Sequence, residues 1–138
     1  MIGLDFQIKD IFNLISPPTL PNHKIKDKRM ILSTMRMALP VKKRDEAIKI
    51  LKLTTECCKV QPGCLGCYIY EDLQQKNIIL FFNEWRSKAN LDHFLRSDHY
   101  RNTLLVLEMA ENEPELRFDE IFGSTGMETV EKARQCDR

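Results

Sequence analysis

The single tryptophan, Trp85, and two of the three histidines, His93 and His99, lie within fifteen residues of one another. Asn83 stands two residues before the tryptophan, so on an extended strand the two side chains share a face. One carries an amide and the other an indole N–H, a pair of donors suited to steadying an anion. Histidine titrates near neutrality without help from its surroundings, so His93 or His99 is the candidate general base. Phe81 shares the strand face of Asn83 and Trp85, and Tyr68 and Tyr70 join this group if the paired strand turns them the same way. Each residue also has a structural reading. A tryptophan at a strand end packs in a core or an interface, an asparagine satisfies turn backbone, His99 sits at a helix start, and His93 flanks the apolar stripe of its helix.

A second cluster is built from sulfur. Cys57, Cys58, Cys64 and Cys67 fall close together, and Cys64-Leu-Gly-Cys67 has the CxxC form of a zinc or redox site. On a regular strand, however, an odd separation sends two side chains to opposite faces, and no nearby histidine completes a finger. Buried structural thiols are therefore the expectation, with no metal, and a thiol-based redox or metal sensor stands third among the functional readings.

The elements that must position these residues follow from periodicity. Asn77–Trp85 is an apolar strand in which Ile79, Phe81, Asn83 and Trp85 face one way and Ile78, Leu80, Phe82 and Glu84 the other. Gln74–Lys76 is of hairpin length, which pairs this strand antiparallel with Cys64–Leu73. Ser87 caps a helix through Arg96 with Leu91, Phe94 and Leu95 buried, and Ser97-Asp98 starts another containing Tyr100, Leu104 and Leu107. Upstream, Met30–Leu39 is a strand ended by Pro40. Lys42–Lys59 is a helix with a broad stripe of Ala47, Ile48, Ile50, Leu51, Leu53 and Cys57/Cys58, stopped by Gln61-Pro62-Gly63. Downstream, Glu115–Phe122 alternates as a fourth strand, and Thr125-Gly126-Met127-Glu128 reads as a capping box. The division expected is 1–29 as an amphipathic helix (3–15) with a proline-rich linker, 30–123 as an α+β domain, and 124–138 as a short helix.

Strand, helix, strand, strand, helix, strand is the split βαβ order of a ferredoxin-like α+β domain, a four-stranded antiparallel sheet with helices on one face. The strand through Ile78–Phe82 is apolar on both sides, so the open face exceeds the few hundred Å² that a monomer tolerates. A homodimer with facing sheets is the predicted remedy.

The 138 residues suit one such domain, and the 43% hydrophobic and 30% charged composition is that of a globular chain. A net charge of +1 with one short basic run, Lys24–Arg29, gives no footprint for nucleic acid. No window approaches the roughly 18 apolar residues of a membrane span, and the opening MIGLDFQIKD lacks the pattern of a secretion signal, so a cytoplasmic protein without membrane contact is the expectation.

The strand at Met30, the QPGCLGCYIYED turn and the block FFNEWRSKANLDHFLRSDHY resemble the antibiotic biosynthesis monooxygenase domain of the dimeric α+β barrel superfamily, over about residues 30–122. That resemblance implies a dimeric barrel and oxidation of a phenolic or quinol-like small molecule without metal, flavin or other cofactor. A non-catalytic small-molecule-binding or stress-related dimer is the alternative it leaves. Two departures bear on chemistry. The family often has histidine where this chain has Phe94, with His93 one residue earlier and so about 100° away around the helix. The haem-degrading relatives place an asparagine in the first strand, and Met30–Leu39 has none, which argues against haem degradation.

Overall fold

The computed structural model describes residues 29–135. The helix expected over 3–15 and its proline-rich linker lie outside these residues. Four strands and four helices follow in the order β1 (Met30–Ala38), α1 (Val41–Lys59), β2 (Cys64–Glu71), β3 (Ile78–Trp85), α2 (Lys88–Leu95), α3 (Asp98–Glu108), β4 (Glu115–Ile121) and α4 (Met127–Gln135). The sheet order is β2-β3-β1-β4 with every pair antiparallel, the ferredoxin-like arrangement. A hairpin joins β2 to β3, whereas β1 is inserted between β3 and β4 by the two helical crossovers.

Strand faces follow period 2. In β1 and β3, buried and half-buried residues alternate without exception, so Ile31, Ser33, Met35 and Met37 lie beside Trp85, Asn83, Phe81 and Ile79 on the helix side. Pleating alone accounts for this, because both strands are regular and central.

The helices depart from expectation in which residues they bury. Leu53 of α1 is 64% exposed, while Thr54 and Thr55 are buried with Ala47, Leu51 and Cys58. The threonine hydroxyls cost little there because each donates to the carbonyl four residues back, Thr54 to Ile50 at 2.9 Å and Thr55 to Leu51 at 2.8 Å. In α3 the buried face is Tyr100, Thr103 and Val106, and Leu104 points outward. Helix α1 packs on both β2 and α3. Its inward stripe is thus selected by two neighbours at once, which the 3.6-residue period of one helix does not reveal.

Local signals are realised at most element ends. Ser87 Oγ accepts from Asn90 N at 3.2 Å and Ser97 Oγ from Tyr100 N at 3.3 Å, capping α2 and α3. Asp72 Oδ1 accepts from the backbone N–H of Gln74 and Gln75, and Asn77 takes a left-handed φ of 67°, so the hairpin turn runs slightly longer than three residues. Before α4, Glu128 accepts from Gly126 N at 3.0 Å, half of the expected capping box moved by one residue.

Among the described glycines, Gly63 is the most closely enclosed. Its φ is +81°, its carbonyl accepts from Arg86 N at 2.8 Å, and a Cβ there would lie 2.1 Å from Asn90 Cγ. Asn90 cannot simply swing aside, because its Oδ1 accepts from Ser87 Oγ at 2.7 Å. Gly63→Ala is therefore expected to cost about 2 kcal/mol or more through left-handed strain and collision. A urea midpoint within error of wild type would contradict this.

Candidate active site

Trp85 and Asn83 are both buried at the end of β3, on the helix side of the sheet. The indole Nε1–H donates to Asn83 Oδ1 at 2.6 Å. This bond occupies the amide carbonyl and leaves the amide NH2 of Asn83 as the donor available to a third group. Cross-strand register places Ser33 on one side of Asn83 and Cys67 on the other, and puts Ile31 and Cys64 on either side of Trp85.

Helices α2 and α3 close over this row with aromatic rings. Trp85 stacks on Phe94 with centroids 5.0 Å apart and planes at 28°, and Phe94 meets Tyr100 edge-on at 5.6 Å and 77°. Such contacts add about 0.5–1.5 kcal/mol each beyond burial. Burial pushes the Tyr100 phenol above its usual range, so it stays protonated and able to donate. One turn further along α3, Thr103 Oγ1 is buried without a hydrogen-bond partner among the described residues. A buried orphan hydroxyl of this kind is satisfied by a bound molecule or a water.

The predicted site residues are only partly gathered here. Asn83, Trp85 and Phe81 share the buried face as expected. Tyr68 and Tyr70 do not join them. Tyr68 pairs with Phe82 and Tyr70 with Leu80, so both tyrosines stand on the opposite, open face, 42% and 49% exposed. There they form an aromatic triangle with Phe82, all centroids 6.1 Å apart. Glu84 lies on this face too, where burial alone raises its carboxyl above the ordinary range.

The two histidines differ in exposure. Phe94 is fully buried against Trp85, while His93 beside it is exposed. His99, in the first turn of α3, is half-buried. Tyr100 and Thr103 were the members of the site that sequence reasoning did not single out for chemistry. Their i, i+3 spacing was the available signal.

The expectation for the cysteines also needs correcting. A β-bulge between Cys64 and Gly66 inserts one residue into β2, so Cys64 sits opposite Trp85 and Cys67 opposite Asn83. Both therefore face the helices, because the extra residue reverses the parity that an odd separation has on a regular strand. Among the described residues no group of three or more His, Cys, Asp or Glu is arranged to hold a metal ion. Nor is any helix among them long and apolar enough to cross a membrane.

A ferredoxin-like α+β sheet with an amide, an indole and stacked rings enclosed between strands and helices defines the structural class. Its family is that described as antibiotic biosynthesis monooxygenase, whose model matches residues 30–104, and the chain belongs to it. An uncharacterised protein of Synechocystis is 30% identical over 106 residues, 77% of this chain and 67% of that protein. A conserved protein from Methanosarcina mazei superposes with a TM-score of 0.65 at 23% identity, over 69% of this chain and 95% of its own. A Mycobacterium tuberculosis protein gives 0.64 at 17% identity, over 70% and 99%. At these identities the two superpositions establish the fold.

Proposed function

We propose that the protein is a cofactor-independent monooxygenase of a phenolic or quinol-like small molecule, acting as a homodimer. The observation that carries this reading is the buried Asn83–Trp85 pair, which holds an amide NH2 in an aromatic enclosure on the helix side of the sheet. A substrate of this class, once ionised, is electron-rich enough to reduce dioxygen itself. One oxygen atom enters the substrate carbon, and the other leaves with two substrate hydrogens as water. The protein's part is to ionise the substrate and to hold the anion and the reduced oxygen away from water.

In this scheme Asn83 Nδ2 and the protonated Tyr100 phenol are the anion's donors, and Trp85 and Phe94 supply the flat walls. His99, the half-buried histidine, is the base, and His93 stands outside. Oxygen uptake with a panel of hydroquinones tests the assignment. His99→Ala should lower the rate about 100-fold, and His93→Ala should leave it within about twofold of wild type because an exposed side chain contributes little. No oxygen uptake by the wild type across the panel would remove the enzyme reading.

One observation favours a binding protein without catalysis: the inward helix position is held by Phe94, which has no acid–base chemistry. Saturable hydroquinone binding without oxygen uptake would support that alternative.

The homodimer rests on the open face, where Tyr68, Tyr70 and Phe82 meet Leu80 and Leu32 beside Glu84. Covering these rings removes apolar area from water at about 25 cal/mol per Å². Sedimentation at micromolar concentration should give a dimer, and a stable monomer would contradict the assembly.

A further inference from the structure

The thiols of Cys58 and Cys64 are in contact, with Sγ atoms 3.8 Å apart, and the monooxygenase scheme uses neither. Their meeting is built by three separate features. Cys58 lies in the last turn of α1, on its buried face. The chain then reverses tightly, with Gln61 N donating to Cys58 O at 3.0 Å and Cys64 N to Gln61 O at 3.1 Å, which lays the start of β2 against that last turn. The bulge after Cys64 finally turns its side chain, and that of Cys67, toward the helix.

The two sulfurs differ in a way that assigns them roles. Cys58 is completely buried, whereas Cys64 is partly exposed. The two thiols share a hydrogen bond in which either sulfur can donate, and this bond holds the Cys64 thiol below its ordinary range. The same bond, then the Cys67 thiol and burial, hold Cys58 well above its own. An accessible, thiolate-prone sulfur beside a buried, protonated one is the arrangement of an attacking and a resolving cysteine. Cys57, on the same turn of α1, makes no sulfur–sulfur contact among the described residues and serves as the internal control.

We propose that Cys58 and Cys64 form a dithiol that hydroperoxides oxidise reversibly to a disulfide within one chain. In the first step the Cys64 thiolate attacks the outer oxygen of the hydroperoxide. An S–O bond forms, the O–O bond breaks, and the departing oxygen takes a proton as water or an alcohol. In the second step Cys58 loses its proton and attacks the Cys64 sulfenic sulfur. The S–S bond forms, the S–O bond breaks, and the hydroxyl leaves as water with a proton. Two thiols have given up two electrons, and the peroxide has taken them. Closure brings the sulfurs from the 3.8 Å of their contact to about 2.05 Å.

The proposal stands apart from the oxygenase reading, since its test measures sulfur and not substrate turnover. The reduced full-length chain is exposed to a small excess of hydrogen peroxide at neutral pH and digested without reductant. The linked peptide should join Cys58 to Cys64, and dithiothreitol should release it. Cys64→Ser should slow peroxide-dependent thiol loss about tenfold, and Cys58→Ser should accumulate a Cys64 sulfenic acid that dimedone traps. Cys58→Ala, which adds no buried hydroxyl, provides the same measurement if the serine variant fails to fold. Linkage through Cys57 or Cys136 instead, thiol loss in Cys64→Ser at the wild-type rate, or no Cys58–Cys64 peptide would each overturn the proposal.

Discussion

Asn83→Ala is expected to lower substrate oxidation by about 10²–10³-fold, the usual consequence of removing one donor from a site where negative charge develops. The same change strips Trp85 Nε1–H of its acceptor. A buried donor left unpaired costs about 1–3 kcal/mol, so the variant should also unfold at lower urea concentration. Asn83→Asp separates the two effects. A carboxyl group keeps an acceptor for the indole but offers a donor only when protonated, and burial raises its pKa. Its oxidation rate relative to wild type should therefore fall as pH rises, while the Trp85 contact is retained. A rate that tracks wild type at every pH would show that the Asn83 amide plays no part in the chemistry.

Trp85→Ala carries the largest expected effect on stability. The indole is completely buried, stacked on Phe94 at 5.0 Å and bonded to Asn83. Truncating a buried aromatic side chain of this size costs about 3–5 kcal/mol through lost transfer energy and the cavity left behind. Against the roughly 5–15 kcal/mol of a typical domain, that is a large share of the total. Trp85→Phe keeps a ring against Phe94 and deletes the N–H, so its loss should be clearly smaller. Urea unfolding followed by far-UV circular dichroism distinguishes the three proteins. A Trp85→Ala cost below about 1 kcal/mol would mean that the ring is not packed as described.

The fold was legible in the chain to a degree that its helix stripes were not. Pleating has a fixed period of two, so the alternation through Ile78–Trp85 assigned both faces of β3 correctly. Ser87 and Ser97 marked the starts of α2 and α3 because capping is a local hydrogen bond. Which residues α1 and α3 bury depended on neighbours distant in sequence. Thr54 and Thr103 replaced Leu53 and Leu104 on the inner faces because α1 and α3 pack on each other.

By itself, then, the sequence determined the element order, the split βαβ topology, the pairing of Asn83 with Trp85 on one strand face, and the helical offset between His93 and Phe94. These rest on short-range periodicity, on turn chemistry, or on a motif read in place. The tertiary structure alone decided that Tyr68 and Tyr70 stand across the sheet from Asn83, that His93 faces solvent while His99 is half-buried, and that Cys58 meets Cys64. The physical reason is common to all three. Register, bulges and helix rotation are settled by contacts between distant segments, and a single inserted residue in β2 was enough to reverse the face of Cys64 relative to Cys67.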